Sequence, residues 1–99
     1  MKKIQKLVEK IDEELCGAKD YAEDYVEQKA MGNMQRASVY KEMAQDELNH
    51  ASNIHEIALK DIEELNRVFT APEEMQAKWE ESHKGYVEKA AWIRVMLQM

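Results

Sequence analysis

Ninety-nine residues contain one proline, Pro72, and three glycines, Gly17, Gly32 and Gly85. Proline and glycine are what cut a helix short, and the residues between these few are mostly strong helix formers. The chain therefore reads as almost entirely helical, with turn chemistry at only two places. At "MGN", Gly32 can take the left-handed conformation that ends a helix, and Asn33 can cap the next one. At "FTAPEE", Thr70 and Glu73 have capping-box spacing, and Pro72 falls in a first turn where its missing N–H costs nothing. The expected fold is all-α, with three long antiparallel helices forming a single domain over residues 1–99.

Apolar spacing assigns each helix an inner face. In the first, Ile4, Leu7, Ile11, Glu14, Ala18, Tyr21 and Tyr25 alternate steps of three and four, the seam of a packed helix. In the second, from about Gln35 to Val68, the inward set is Tyr40, Met43, Glu47, His50, Ile54, Ile57 and Leu65. The third, running to near Met99, places Met75, Trp79, Tyr86, Ala90, Ile93 and Leu97 inward. Helices of about 30 residues are roughly 45 Å long, and three such rods bury only part of their apolar surface. The tail "AAWIRVMLQM" is apolar on more than one side, since Trp92 and Val95 leave the stripe of Ile93 and Leu97. A homodimer or higher homo-oligomer is expected, and this apolar C-terminal segment also offers a surface to a protein partner.

Charge and composition exclude several classes. The net charge of −6 comes from acids spread along the whole chain, without a basic stripe, which disfavours nucleic acid. No apolar run approaches the roughly 20 residues that span a bilayer, so no membrane segment is expected. The opening "MKKIQKLVEK" lacks the apolar stretch of a secretory signal, and a cytoplasmic location is expected. Cys16 has no internal partner and reads as a small apolar filler on a helix. Ser/His/Asp arrangements, phosphate-cradling glycine loops and Cys/His zinc spacing are all missing, which leaves hydrolase and nucleotide chemistry unsupported.

Three polar residues interrupt the seams. Glu47 and His50, three apart, share a helix face. With a turn near Gly32, residues whose numbers total about 64 lie side by side, which sets Glu14 opposite His50. A carboxylate left unpaired in a packed interior costs several kcal/mol or takes up a proton, so the site must supply compensation. A divalent metal does so, and carboxylate oxygen with imidazole nitrogen suits iron, manganese or zinc better than calcium. The competing reading is a polar cluster in which the imidazolium satisfies both carboxylates and fixes helix register. A second Glu-x-x-His, Glu80 and His83, lies on the third helix. A turn near Thr70 brings His83 close to His55, roughly 10 Å from the first pair. His55, Glu80 and His83 are thus secondary metal candidates, and Tyr21, Tyr25 and Tyr40 read as amphipathic core filling.

The segments "ELCGAKDYA" and "DELNHASNIH" together resemble the ferritin-like superfamily, in which one helix offers a Glu and its hairpin partner a Glu-x-x-His. The short encapsulated ferritins are similar in logic, one hairpin carrying half a di-iron site that dimerisation completes. Glu14, Glu47 and His50 match those ligands. The resemblance implies iron as the metal, a ferritin-like bundle completed by a second copy, and ferroxidase activity. The chain departs from the pattern in having three helices rather than four, with a long third helix that the encapsulated ferritins lack in that place. As a whole it also resembles small uncharacterised proteins of bacteriophages and prophages, through "IHE" and "APEEM". That likeness implies no activity and accords with the alternative, a metal-free three-helix structural or protein-interaction module.

Overall fold

The computed structural model describes residues 2–68 and 73–99. They form helices α1 (Lys2–Ala30), α2 (Met34–Val68) and α3 (Glu73–Leu97), with no strand among the described residues. The expected all-α class and three-helix division are both present. Thr70 and Pro72, two members of the anticipated capping segment, lie outside the described residues. Glu73 and Glu74 occupy the first turn of α3, where negative charge meets the positive end of the helix dipole.

The turn between α1 and α2 follows the chemistry of its residues. Gly32 has φ of 80°, a left-handed conformation that is strained for residues carrying a Cβ. Its N–H donates to the Lys29 carbonyl at 3.0 Å, and the Asn33 N–H donates to the Gln28 carbonyl at 2.9 Å. Together these bonds close the end of α1 as a Schellman motif. Asn33 then opens α2, its Oδ1 accepting from the Arg36 N–H at 3.2 Å.

The two long helices pack through small residues. α1 buries Ile4, Ile11, Leu15, Ala18, Ala22 and Tyr25, while α2 buries Ala37, Ala44, Leu48, Ala51 and Ala58. The four α2 alanines recur every seven residues, the repeat that keeps one stripe facing a partner helix. This corrects the inner face expected for α2. Alanine carries nothing beyond Cβ, so the α1 and α2 backbones approach closely along that stripe, and the larger side chains are displaced to its edges. Tyr40, Met43, Ile54 and Leu65 are half-buried, Ile57 is 50% exposed, and the His50 side chain is 55% exposed. On α1, Leu7, Glu14 and Tyr21 are likewise half-buried. Cys16, expected as a filler, is exposed, because the neighbouring Leu15 takes the inward position.

α3 buries Ala90, Ile93, Met96 and Leu97, while Met75, Trp79 and Tyr86 are half-buried. Its end is tied to the end of α1 by Lys29 Nζ, which donates to the Met99 carbonyl at 2.6 Å. A cation there also suits the negative end of the α3 dipole. The molecule measures 55 × 17 × 17 Å and exposes 7013 Å². A compact monomer of its mass exposes about 5,800 Å². The excess follows from rod-like shape, and part of it is apolar, since Trp92, Val95 and Met99 stand exposed. Among the described residues no helix is long and apolar enough to cross a membrane.

Candidate metal centre

The hairpin register sets the site. Lys3 Nζ lies 3.5 Å from Asp61 Oδ2, His50 Nδ1 lies 3.5 Å from Glu14 Oε2, and Gly17 faces Glu47. All three pairs total 64 in residue number, the level expected from a turn near Gly32. Glu14 therefore stands across from His50, and Glu47 reaches the same level from one turn earlier on α2. One ligand atom each from Glu14, Glu47 and His50 lies within 4.8 Å of the others, which no other trio of metal-ligating side chains achieves among the described residues.

The distances discriminate between kinds of contact. His50 Nδ1 is 3.5 Å from Glu14 Oε2 and 3.9 Å from Glu47 Oε1, longer than the 2.7–3.2 Å of a good hydrogen bond. Ligands bonded at about 2.1 Å to one tetrahedral ion stand roughly 3.4 Å apart, which the His50–Glu14 separation matches and the His50–Glu47 separation exceeds by about half an ångström. The donor set of two carboxylates and one imidazole fits a borderline transition metal. The site is not sealed, since both carboxylates are half-buried and the imidazole is exposed. No polar or charged residue is fully buried among the described residues. The sequence places these groups on the seam, and the structure places them on its rim.

Electrostatics add a further mark. The Glu47 carboxyl is pushed above its ordinary value, first by a hydrogen bond with Glu14, then by burial and by the Glu14 charge, with Asp46 adding to the effect. The His50 charge works in the opposite direction. Two carboxyl groups so close repel when both are ionised, and a proton or a bound cation relieves that repulsion.

Sequence reasoning missed Gly17. A Cβ on this residue would stand 3.0 Å from Glu47 Oε2, so the absent side chain leaves the space that the carboxylate occupies. The available signal was a glycine in mid-helix, three residues after Glu14 and on the same side.

The secondary candidates do not join the first cluster. His55 Nε2 and His83 Nδ1 meet at 2.8 Å, within a stack that includes Trp79 and Tyr86. His55 lies five residues beyond His50, about 140° further round the helix. It faces α3, so His50 points to a different side of α2 from the His55/His83 pair. Glu80 lies on the rim of a cleft of about 330 Å³ formed with Ile4, Ile62, Leu65, Met75 and Trp79. Tyr21 and Tyr40 stack at 6.4 Å, one heptad along from Glu14 and Glu47, and Tyr25 is buried beneath Lys29 and Lys41. No protein-family model, no curated protein and no solved structure matches the chain.

Proposed function

We propose that this chain is a ferritin-like helical protein that binds a transition metal through Glu14, Glu47 and His50, with a second copy completing the centre. Iron is the metal the ferritin-like resemblance implies, and the donor set suits iron, manganese or zinc. The observation that carries this reading is the convergence of three ligand atoms from two helices within 4.8 Å, with the imidazole nitrogen too far from either carboxylate for a good hydrogen bond. Gly17 supports it, because the chain keeps a poor helix former where a side chain would crowd Glu47. Three protein ligands leave coordination positions open, and a two-fold axis beside the rim brings a second set to the same place. Exposed surface in excess of a compact monomer's supports association. Iron bound there would supply redox chemistry, each ferrous ion giving one electron to dioxygen. The chain's own part is to hold the cation with two carboxylates and to keep the imidazole oriented by the neighbouring charges.

The second reading is a metal-free interaction module of phage or prophage type. The raised Glu47 carboxyl favours it, since a proton shared with Glu14 also satisfies the cluster. The exposed Trp92 and Val95 would then bind the partner. The two readings separate on a double variant, Glu47→Gln with His50→Asn. For a metal protein, ferrous iron added without oxygen, or manganese, raises the melting temperature of the natural chain and leaves the double variant unchanged. If neither metal moves the melting temperature of the natural chain and none is retained on gel filtration, the metal reading is wrong.

A further inference from the structure

The joint between α2 and α3 is built from rings. His55 stacks on Tyr86 with centroids 4.6 Å apart and planes 15° apart and on Trp79 at 5.6 Å, while His83 meets its edge with centroids 4.9 Å apart. The contact at its centre is polar, His55 Nε2 lying 2.8 Å from His83 Nδ1. Two imidazoles held edge to edge on different helices require one to donate and the other to accept. Burial, followed by the nearness of His83, pushes the His55 imidazole below its ordinary value, with Glu56 opposing.

We infer that His55 and His83 form a second metal site, a two-imidazole clamp for a nitrogen-preferring divalent ion of the zinc, nickel or copper kind, which fastens α3 to α2. Imidazole without carboxylate selects these ions over calcium and magnesium. Bonds of about 2.0–2.1 Å at a tetrahedral angle set the two nitrogens roughly 3.3 Å apart, so the nitrogens part by about half an ångström and each ring swings to aim its lone pair at the ion instead of at the other nitrogen. No net proton need leave the pair. The ring that donates in the metal-free pair gives up its inner hydrogen and takes one on its outer nitrogen, so that both neutral rings carry hydrogen outside, on Nδ1 of His55 and Nε2 of His83, and turn a lone pair to the ion. His83 is exposed, so water can fill the remaining positions. Trp79 and Tyr86 hold the imidazoles by their faces, which restricts them before any ion arrives.

The site is independent of the Glu14/Glu47/His50 cluster, and the test keeps the two apart. The chain has three histidines, so their ring resonances can be followed singly. Zinc is added to the full chain carrying Glu47→Gln and His50→Asn. The expected result is a shift of the His55 and His83 ring resonances and a higher melting temperature. In the same background His83→Asn keeps a side-chain donor at the joint, and apparent zinc affinity at His55 should fall about tenfold or more. His55→Gln serves as the reciprocal variant, read at His83. The inference is overturned if zinc leaves both resonances in place in the double variant, or if His55 responds to zinc equally well with Asn at position 83. Failure of the first site gives another pattern, in which the natural chain and the double variant show the same single zinc event.

Discussion

Gly17 of α1 provides the space in which the Glu47 carboxylate of α2 rests, a Cβ at that position standing 3.0 Å from Oε2. Nothing in the turn geometry asks for glycine there, since Gly32 alone among the glycines has positive φ. Replacing Gly17 by alanine therefore has two effects of opposite value. In a helix interior alanine is better than glycine by about 1 kcal/mol. The atom it meets ends a flexible side chain, which can swing aside. Gly17→Ala should raise the melting temperature by roughly 4–8 °C. It should also weaken manganese or ferrous iron binding, because the displaced carboxylate no longer faces Glu14 and His50. Thermal melts with and without metal measure both, and a variant that is more stable yet binds metal undiminished would show that the space has no bearing on the site.

Glu47 gives the cluster a pH signature. Its carboxyl is raised above the ordinary value of 4.5, chiefly by the hydrogen bond with Glu14. A carboxyl raised on folding holds its proton more tightly folded than unfolded. Its contribution to stability is thus present at low pH and is lost as pH climbs from the ordinary value through the raised one. Glu47→Gln mimics the protonated group permanently, so without metal it should melt above the natural chain at neutral pH. The gap should close below about pH 4, where the natural side chain is itself protonated. Manganese at neutral pH should reverse the order, because only the natural chain gains a ligand. Melts recorded from about pH 4 to pH 8, with and without manganese, test the sign.

The hairpin was legible because its turn residues are specific. Gly32 and Asn33 fix where α1 ends, the turn fixes the register, and the register brings Glu14 level with His50. The face of α2 was harder to read. Met43, Ile54 and Ile57 outrank alanine on any scale of hydrophobicity, and they suggest a stripe that includes Glu47 and His50. Burial instead follows close approach. Ala37, Ala44, Ala51 and Ala58 let the backbones come together, and the bulkier residues beside them pack at the rim. The same rotation explains why two carboxylates and an imidazole are tolerated, for they stand at the edge of the interface and remain partly hydrated. Gly17 was hidden for a related reason, since its meaning depends on a neighbouring helix.

The alanine stripe makes a prediction of its own. Ala51 is fully buried within the core cluster, so a longer side chain there must displace its neighbours. On an exposed helical surface leucine and alanine are nearly equivalent formers, so any penalty reports packing alone. Ala51→Leu should cost about 1–3 kcal/mol by forcing the helices apart. The exposed Ala91→Leu should stay within about 0.5 kcal/mol. Urea denaturation of both variants gives the comparison. Equal midpoints would mean that α1 and α2 do not approach as closely as the structure has them.

The faces that a second copy can use are distinguishable. Glu14, Glu47 and His50 stand partly exposed between α1 and α2, so an axis that joins two such clusters must run beside the α1–α2 rim. Trp92, 58% exposed, lies on α3 with the exposed Val95. Trp92→Glu should therefore leave metal affinity unchanged, and stability too within about 0.5 kcal/mol, because the residue contributes little to the fold. Its effect should fall on association through α3, seen as a smaller mass in solution or the loss of a bound protein. If Trp92→Glu instead removes metal binding together with the oligomer, the α3 face is the one that completes the centre, and the arrangement about the α1–α2 rim is wrong.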